Sequence, residues 1–172
     1  GFGNYMIPLM IGARDMAFPY ANMLSFWFYF ASVVILLASF LVPGGASGAG
    51  WTLYPPQAIM PGTPGNDLGI LLMLASLGVF IIGFTMGGLN YLTTVLQLRT
   101  RGMSLMRMPL TVWAIFTATV LALLAFPALL VSAIMMTLDT VLGTSFFMPA
   151  IISAGAQTEY SGGSPVLFQH LF

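Results

Sequence analysis

The sequence predicts an all-α polytopic membrane protein, and three observations carry that prediction. Of the 172 residues 59% are hydrophobic and only 5% are charged, against about 25% charged in a soluble domain, so water cannot be the solvent for most of the surface. Apolar runs of roughly 20 residues or more, long enough to cross a hydrocarbon core, alternate with short polar or Gly/Pro-rich stretches. The few charges sort by sign between alternate stretches.

In chain order, residues 1–12 read as the tail of one span, 23–42, 68–98 and 109–138 as three full spans, and 166–172 as the start of another. The two longer spans exceed an upright crossing of about 30 Å at ~1.5 Å per residue, which predicts tilt or extension beyond the hydrocarbon. Pro127, inside the last full span, predicts a kink. The loops fall at 13–22, 43–67, 99–108 and 139–165, and "PGGASGAGWTLYPPQAIMPGTPGND" is too rich in breakers to be helical. No repeat or low-complexity tract divides the chain, so 1–172 reads as a single transmembrane unit. An opening at Gly1 without a basic leader, and a close on the apolar "VLFQHLF", predict a piece of something longer.

The cations are Arg14, Arg99, Arg101 and Arg107; the anions are Asp15, Asp67, Asp139 and Glu159. With the loops placed alternately across the membrane, all four arginines fall on one side and Asp67, Asp139 and Glu159 on the other, the positive-inside pattern. Asp15 alone breaks the rule, as the one acid on the negative side of an energised membrane. Zero net charge and no lysine leave no electrostatic footprint for nucleic acid. The absence of cysteine excludes a disulfide scaffold, a thiolate metal site and a cysteine nucleophile. His170, the one histidine, cannot build a metal site alone and reads as a packing residue.

Asp15 has two readings. It is a loop residue offset by the neighbouring Arg14 at the membrane surface, or it is a proton inlet, since an acid at a span boundary is costly and exchanges protons with water. Asn4 and Asn22 flank it in sequence. Amides do not titrate near neutral pH, yet each offers two donors and an acceptor, so they can line a water file without trapping its proton. Trp51 and Tyr54, in "GAGWTLYPP", fit either an interfacial aromatic belt or an indole donor to an anionic cofactor group. Ser32, Ser39, Ser76, Thr85, Asn90, Thr117 and Thr119 read as helix–helix ties or back-bonded groups. The thirteen methionines are scattered without clustering and read as core filling, not copper handling.

The opening "GFGNYMIPLMIGARDMAFPYANMLSFWFYF", with "GWTLYPP", "GGLNYLTT", "RMPLTVWAIFTATVLALLAFPALLVSAIMMTLD", "TSFF" and "GGSPVLFQHLF", resembles subunit I of the haem-copper oxidases, the cytochrome c and quinol oxidase family. The resemblance is colinear from Gly1 to Phe172 and implies part of a twelve-helix bundle: the end of helix II, helices III to V and the start of helix VI. It implies the catalytic subunit of a terminal respiratory oxidase, reducing dioxygen to water at a haem-copper centre and translocating protons. Asp15 would be the mouth of the D-type proton pathway, Asn4 and Asn22 would line its lower part, and Ser25 would stand close to it. Trp51 would lie beside a propionate of the active-site haem, with Tyr54 in the same loop. The low-spin and high-spin haems and the copper would be held outside these residues, leaving no catalytic group or metal ligand here.

The implied partners are membrane lipid, the remaining helices of the subunit, oxidase subunits II and III, and cytochrome c or quinol as electron donor. The implied location is the bacterial plasma membrane, or alternatively the mitochondrial inner membrane. Where this chain has Arg14 many relatives have proline, where it has Met23 a second asparagine, and where it has Gly83 and Phe84 a pair of serines. Thr85 offers a substitute hydroxyl one residue further on. Composition alone fits a helical ion transporter or channel equally well, and a nitric oxide reductase relative would share the fold with different chemistry. An inert structural fragment is a further reading of the isolated piece.

Overall fold

The computed structural model describes residues 1–149 and 162–172; Glu159 lies outside them. Five α-helices stand among the described residues: α1 Phe2–Ile11, α2 Pro19–Ser39, α3 Leu68–Gln97, α4 Leu110–Val141 and α5 Pro165–Leu171, with a 3₁₀ turn at Leu105–Arg107. No strand occurs among them. By length and composition α2, α3 and α4 can each cross a membrane. In the most apolar 18-residue window of each, 33% of α3 is buried against 6% of α2 and of α4. α3 is therefore the packed helix, while α2 and α4 turn most of their apolar surface outward, as helices solvated by lipid or by further helices do.

The helix ends follow local chemistry. α1 stops because Gly12 adopts a left-handed conformation (φ 74°), open to glycine at no steric cost, and the next amide, Ala13 N–H, donates back to Pro8 O at 2.8 Å. α2 starts at Pro19, ahead of the expected Met23, so the end of the expected loop 13–22 is helical. Proline at the first helical position has no N–H to lose and carries a preset φ. α3 closes with the Arg99 guanidinium, whose Nη1 donates to Val95 O at 2.5 Å and neutralises the carbonyl end of the helix. α4 continues to Val141, past the expected end at 138, and runs through Pro127 as one helix. α5 starts at Pro165, with Ser164 Oγ accepting the Val166 N–H at 3.3 Å.

The chain packs as two units. The first comprises residues 1–29 and 80–127 and the second residues 30–79 and 128–172. In the first, Ile7, Ile11, Val95, Met108 and Val112 form the core. Thr100 N–H donates to Ile11 O at 2.9 Å, which ties the 99–108 loop to the end of α1. All four arginines belong to this unit. In the second, Leu53, Ile70, Leu74, Met136, Phe147 and Phe168 belong to the core. Ser76 Oγ donates to Ser32 O at 2.7 Å, the tie between α2 and α3 expected of hydroxyls in spans. Ser39, Thr85 and Thr119 instead donate to carbonyls of their own helices.

Candidate functional site

Asp15, Asn4, Asn22 and Ser25 all fall in the first unit; Trp51 and Tyr54 fall in the second. Asp15 stands exposed in the short turn between α1 and α2, and its Oδ1 accepts the Met16 N–H at 2.7 Å. Met16, by contrast, is 3% exposed. The turn is thus anchored by one apolar side chain and presents one acid.

The anchor continues through α3. Asn90, fully buried, turns both ends of its amide to one residue: Phe18 N–H donates to Asn90 Oδ1 at 2.8 Å and Asn90 Nδ2 donates to Phe18 O at 3.1 Å. One turn along, buried Thr94 Oγ1 accepts the Ala17 N–H at 2.9 Å while donating to Asn90 O at 2.6 Å. Two loop amides, of Ala17 and Phe18, are thus satisfied by side chains at one-turn spacing, and the Phe18 carbonyl, which also accepts the Asn22 N–H at 3.0 Å, gains a second donor. Sequence reading treats Asn90 as a tie between helices. It holds loop backbone instead, and with Thr94 it forms a fastening for the Asp15 turn that the sequence does not disclose.

Asn4 and Asn22 are both partly buried. Asn4 Oδ1 is buried with no protein partner among the described residues. Such an acceptor is costly unless something donates to it, and water is the donor a proton path would supply. Ser25 Oγ donates to Asn22 O at 2.7 Å, so its hydroxyl proton is committed to its own helix and its lone pairs remain.

In the second unit the Trp51 ring is 77% exposed. Tyr54 packs edge-on against Phe168 with centroids 5.7 Å apart, and Gln169 Nε2 donates to its hydroxyl. Phe168 in turn meets Phe147 edge-on at 5.8 Å. Tyr54 is thereby fixed to the start of α5, while the Trp51 indole stays available. Asp139, 8% exposed, accepts Thr144 Oγ1 at 2.6 Å and Phe146 N–H at 2.9 Å on Oδ1, and Phe147 N–H at 3.0 Å on Oδ2. It closes the end of α4 and presents the following turn.

Among the described residues no three His, Cys, Asp or Glu side chains gather where a metal could sit. His170 Nδ1 lies 2.9 Å from Val166 O, one turn back in α5. These residues do not fit a metal or haem ligand set. What the first unit can do chemically is take up protons at one exposed acid whose backbone is held in place.

Residues 1–172 match the sequence profile of the family described as Cytochrome C and Quinol oxidase polypeptide I. The alternative cytochrome c oxidase subunit 1 of Bradyrhizobium diazoefficiens is 70% identical over 172 residues, which is 100% of this chain and 29% of that protein. Cytochrome c oxidase subunit 1 of Synechocystis is 42% identical over 173 residues, covering 99% of this chain and 28% of its own length. The haem-copper oxidase subunit I+III of Aeropyrum pernix is 40% identical over 173 residues, covering 100% of this chain and 20% of its own. The chain spans less than a third of the length of each.

Proposed function

Because this chain belongs to the cytochrome c and quinol oxidase polypeptide I family, we propose that it is part of the catalytic subunit of a terminal respiratory oxidase. That enzyme reduces dioxygen to water with proton translocation, and this segment supplies its proton inlet. Asp15 collects protons from the negative side, Asn4 and Asn22 line the water-filled way inward, and Ser25 stands beside it.

One observation supports the inlet above the others. The turn carrying the exposed Asp15 is fastened through Ala17 and Phe18 to two buried side chains of α3, Asn90 and Thr94. A surface loop acid of no consequence needs no such fastening, whereas a proton acceptor working at a fixed mouth does. The orphaned Asn4 Oδ1 supports a path wetted on its inner side.

Haem and copper supply the redox chemistry of the proposed reaction, and since these residues do not fit as ligands, both belong to the rest of the subunit. Trp51, with its indole available, is read as the donor to a haem propionate, and Tyr54 as the residue that steadies its loop against α5. The remaining helices of the subunit, subunits II and III, and cytochrome c or quinol are the proposed partners, in a bacterial plasma membrane. The test is direct. The full-length subunit, purified with its partner subunits, is expected to consume dioxygen when given reduced cytochrome c or quinol. Failure with both donors in an intact, haem-loaded preparation would refute the oxidase reading.

A further inference from the structure

The four arginines all belong to the first unit, but they are not used alike. Arg99 is committed to the fold: its Nη1 donates to Val95 O at 2.5 Å and its Nε to Met103 O at 3.3 Å. Arg14, Arg101 and Arg107 are exposed. Among the described residues Arg14 and Arg101 have no ion pair and no side-chain hydrogen bond, Arg14 forming none even with the adjacent Asp15. Arg107 has one long bond, from Nη1 to Gly102 O at 3.4 Å.

These three cations are gathered at one junction. Thr100 N–H donates to Ile11 O at 2.9 Å, and a Cβ on Gly12 would lie 3.1 Å from Thr100 Cβ, so the end of α1 and the start of the 99–108 loop touch. Arg14 follows the first closely in sequence and Arg101 adjoins the second. The bond to Gly102 O brings the Arg107 guanidinium to the residue after Arg101. Two apolar side chains stand open beside them: Met106 is 88% exposed and Leu110 84%. The turn that carries Met106 is pinned to α4, since Trp113 Nε1 donates to Leu105 O at 2.9 Å. Free guanidinium groups, bare apolar side chains and a tryptophan, all at helix ends, mark the depth at which hydrocarbon gives way to headgroups.

We propose that Arg14, Arg101 and Arg107 bind the phosphate of an anionic phospholipid in the leaflet on their side of the membrane, with an acyl chain of that lipid lying along Met106 and Leu110. Charge complementarity selects the headgroup. The described residues of this unit set four arginines against one carboxylate, and the leaflet on the arginine-rich side of a membrane is the anionic one. Guanidinium forks match phosphate oxygens two at a time. The apolar pair selects a lipid over free phosphate, which would leave Met106 and Leu110 in water. A protein partner would have to bring carboxylates and an apolar surface to the same depth; a phospholipid carries both in one molecule. The proposal does not depend on Asp15 being the inlet, and no covalent step is involved.

The test uses the full-length oxidase, purified with its partner subunits and placed in nanodiscs of phosphatidylcholine. The discs carry a photoreactive phosphatidylglycerol or, at the same fraction, a photoreactive phosphatidylcholine, and cross-links are mapped by mass spectrometry. The peptide with Met106 and Leu110 is expected to take the anionic lipid at least about threefold more than the neutral one. That preference should vanish in roughly 1 M KCl. Arg14→Gln, Arg101→Gln and Arg107→Gln combined should abolish the preference and leave labelling by the neutral lipid. The salt series on the wild-type protein decides the matter by itself if the triple variant does not assemble. Equal labelling by the two lipids would mean apolar contact without headgroup recognition, and labelling by neither would mean that protein covers the segment; each overturns the proposal. Loss of the preference to inorganic phosphate, but not to chloride of the same ionic strength, would assign the arginines to the free ion and overturn it too.

Discussion

Two carboxylates, one in each packed unit, are used in opposite ways. Asp139 is 8% exposed and accepts hydrogen bonds from the Thr144 hydroxyl and from the Phe146 and Phe147 amides. Asp15 is exposed and accepts from the adjacent Met16 amide. The first is consumed by structure, since it closes α4 and aims Phe147 into the core. The second is spared that work, because Asn90 and Thr94 hold its turn through the backbone of Ala17 and Phe18. Fastening a loop through its neighbours leaves its acid free to meet water, and that division of labour is what the proposed inlet requires of Asp15.

The contrast can be broken most forcefully at Asp139. Asp139→Ala strands the buried Phe147 N–H, the partly buried Phe146 N–H and a threonine hydroxyl, and should cost on the order of 3 kcal/mol of stability in the full-length subunit. A chemical-unfolding midpoint reads it; an unchanged midpoint would show that the turn after α4 does not depend on this acid.

A smaller effect is expected at the fastening of the Asp15 turn. Asn90→Ala should cost about 2 kcal/mol, since it leaves the Phe18 amide unsatisfied beside an emptied site, while the Phe18 carbonyl keeps the Asn22 N–H. Thr94→Ser, which keeps the hydroxyl, should change stability by no more than about 0.5 kcal/mol. Hydrogen exchange followed by mass spectrometry localises the effect: the peptide containing Ala17 and Phe18 should exchange faster in Asn90→Ala and at the normal rate in Thr94→Ser. Equal protection in Asn90→Ala and wild type would sever the link between α3 and the turn.

No stability change is expected from single cysteines placed near Arg101 and near Gly45, and their labelling tests the arginine partition instead. Impermeant reagents should reach them from opposite sides of the membrane, the arginine loop from the cytoplasmic side. Labelling from one side would overturn the span order.

The helix bodies were legible because apolar run length is a direct consequence of hydrocarbon thickness, and α2, α3 and α4 are such runs. The start of α2 was not: counting apolar residues begins at Met23, while helix geometry begins at the proline that sets φ at Pro19. Asp15, Asn4 and Asn22 were legible as candidates since charge and amide are rare in so apolar a chain. Asn90 and Thr94 were not, because the amides they hold lie 72 and 77 residues away in sequence, and nothing short of packing brings them together.

The inlet itself is tested most directly by Asp15→Asn in the full-length oxidase reconstituted into vesicles. Asparagine keeps the shape and the acceptor for Met16 N–H while removing the titrating group, so stability should stay within about 0.5 kcal/mol of wild type. The visible spectrum should not change. Steady-state oxygen consumption should fall at least tenfold, by analogy with loss of a positioned proton-transfer group, and proton pumping should be abolished. Wild-type turnover and pumping in Asp15→Asn would contradict the inlet and return Asp15 to the status of a surface loop residue.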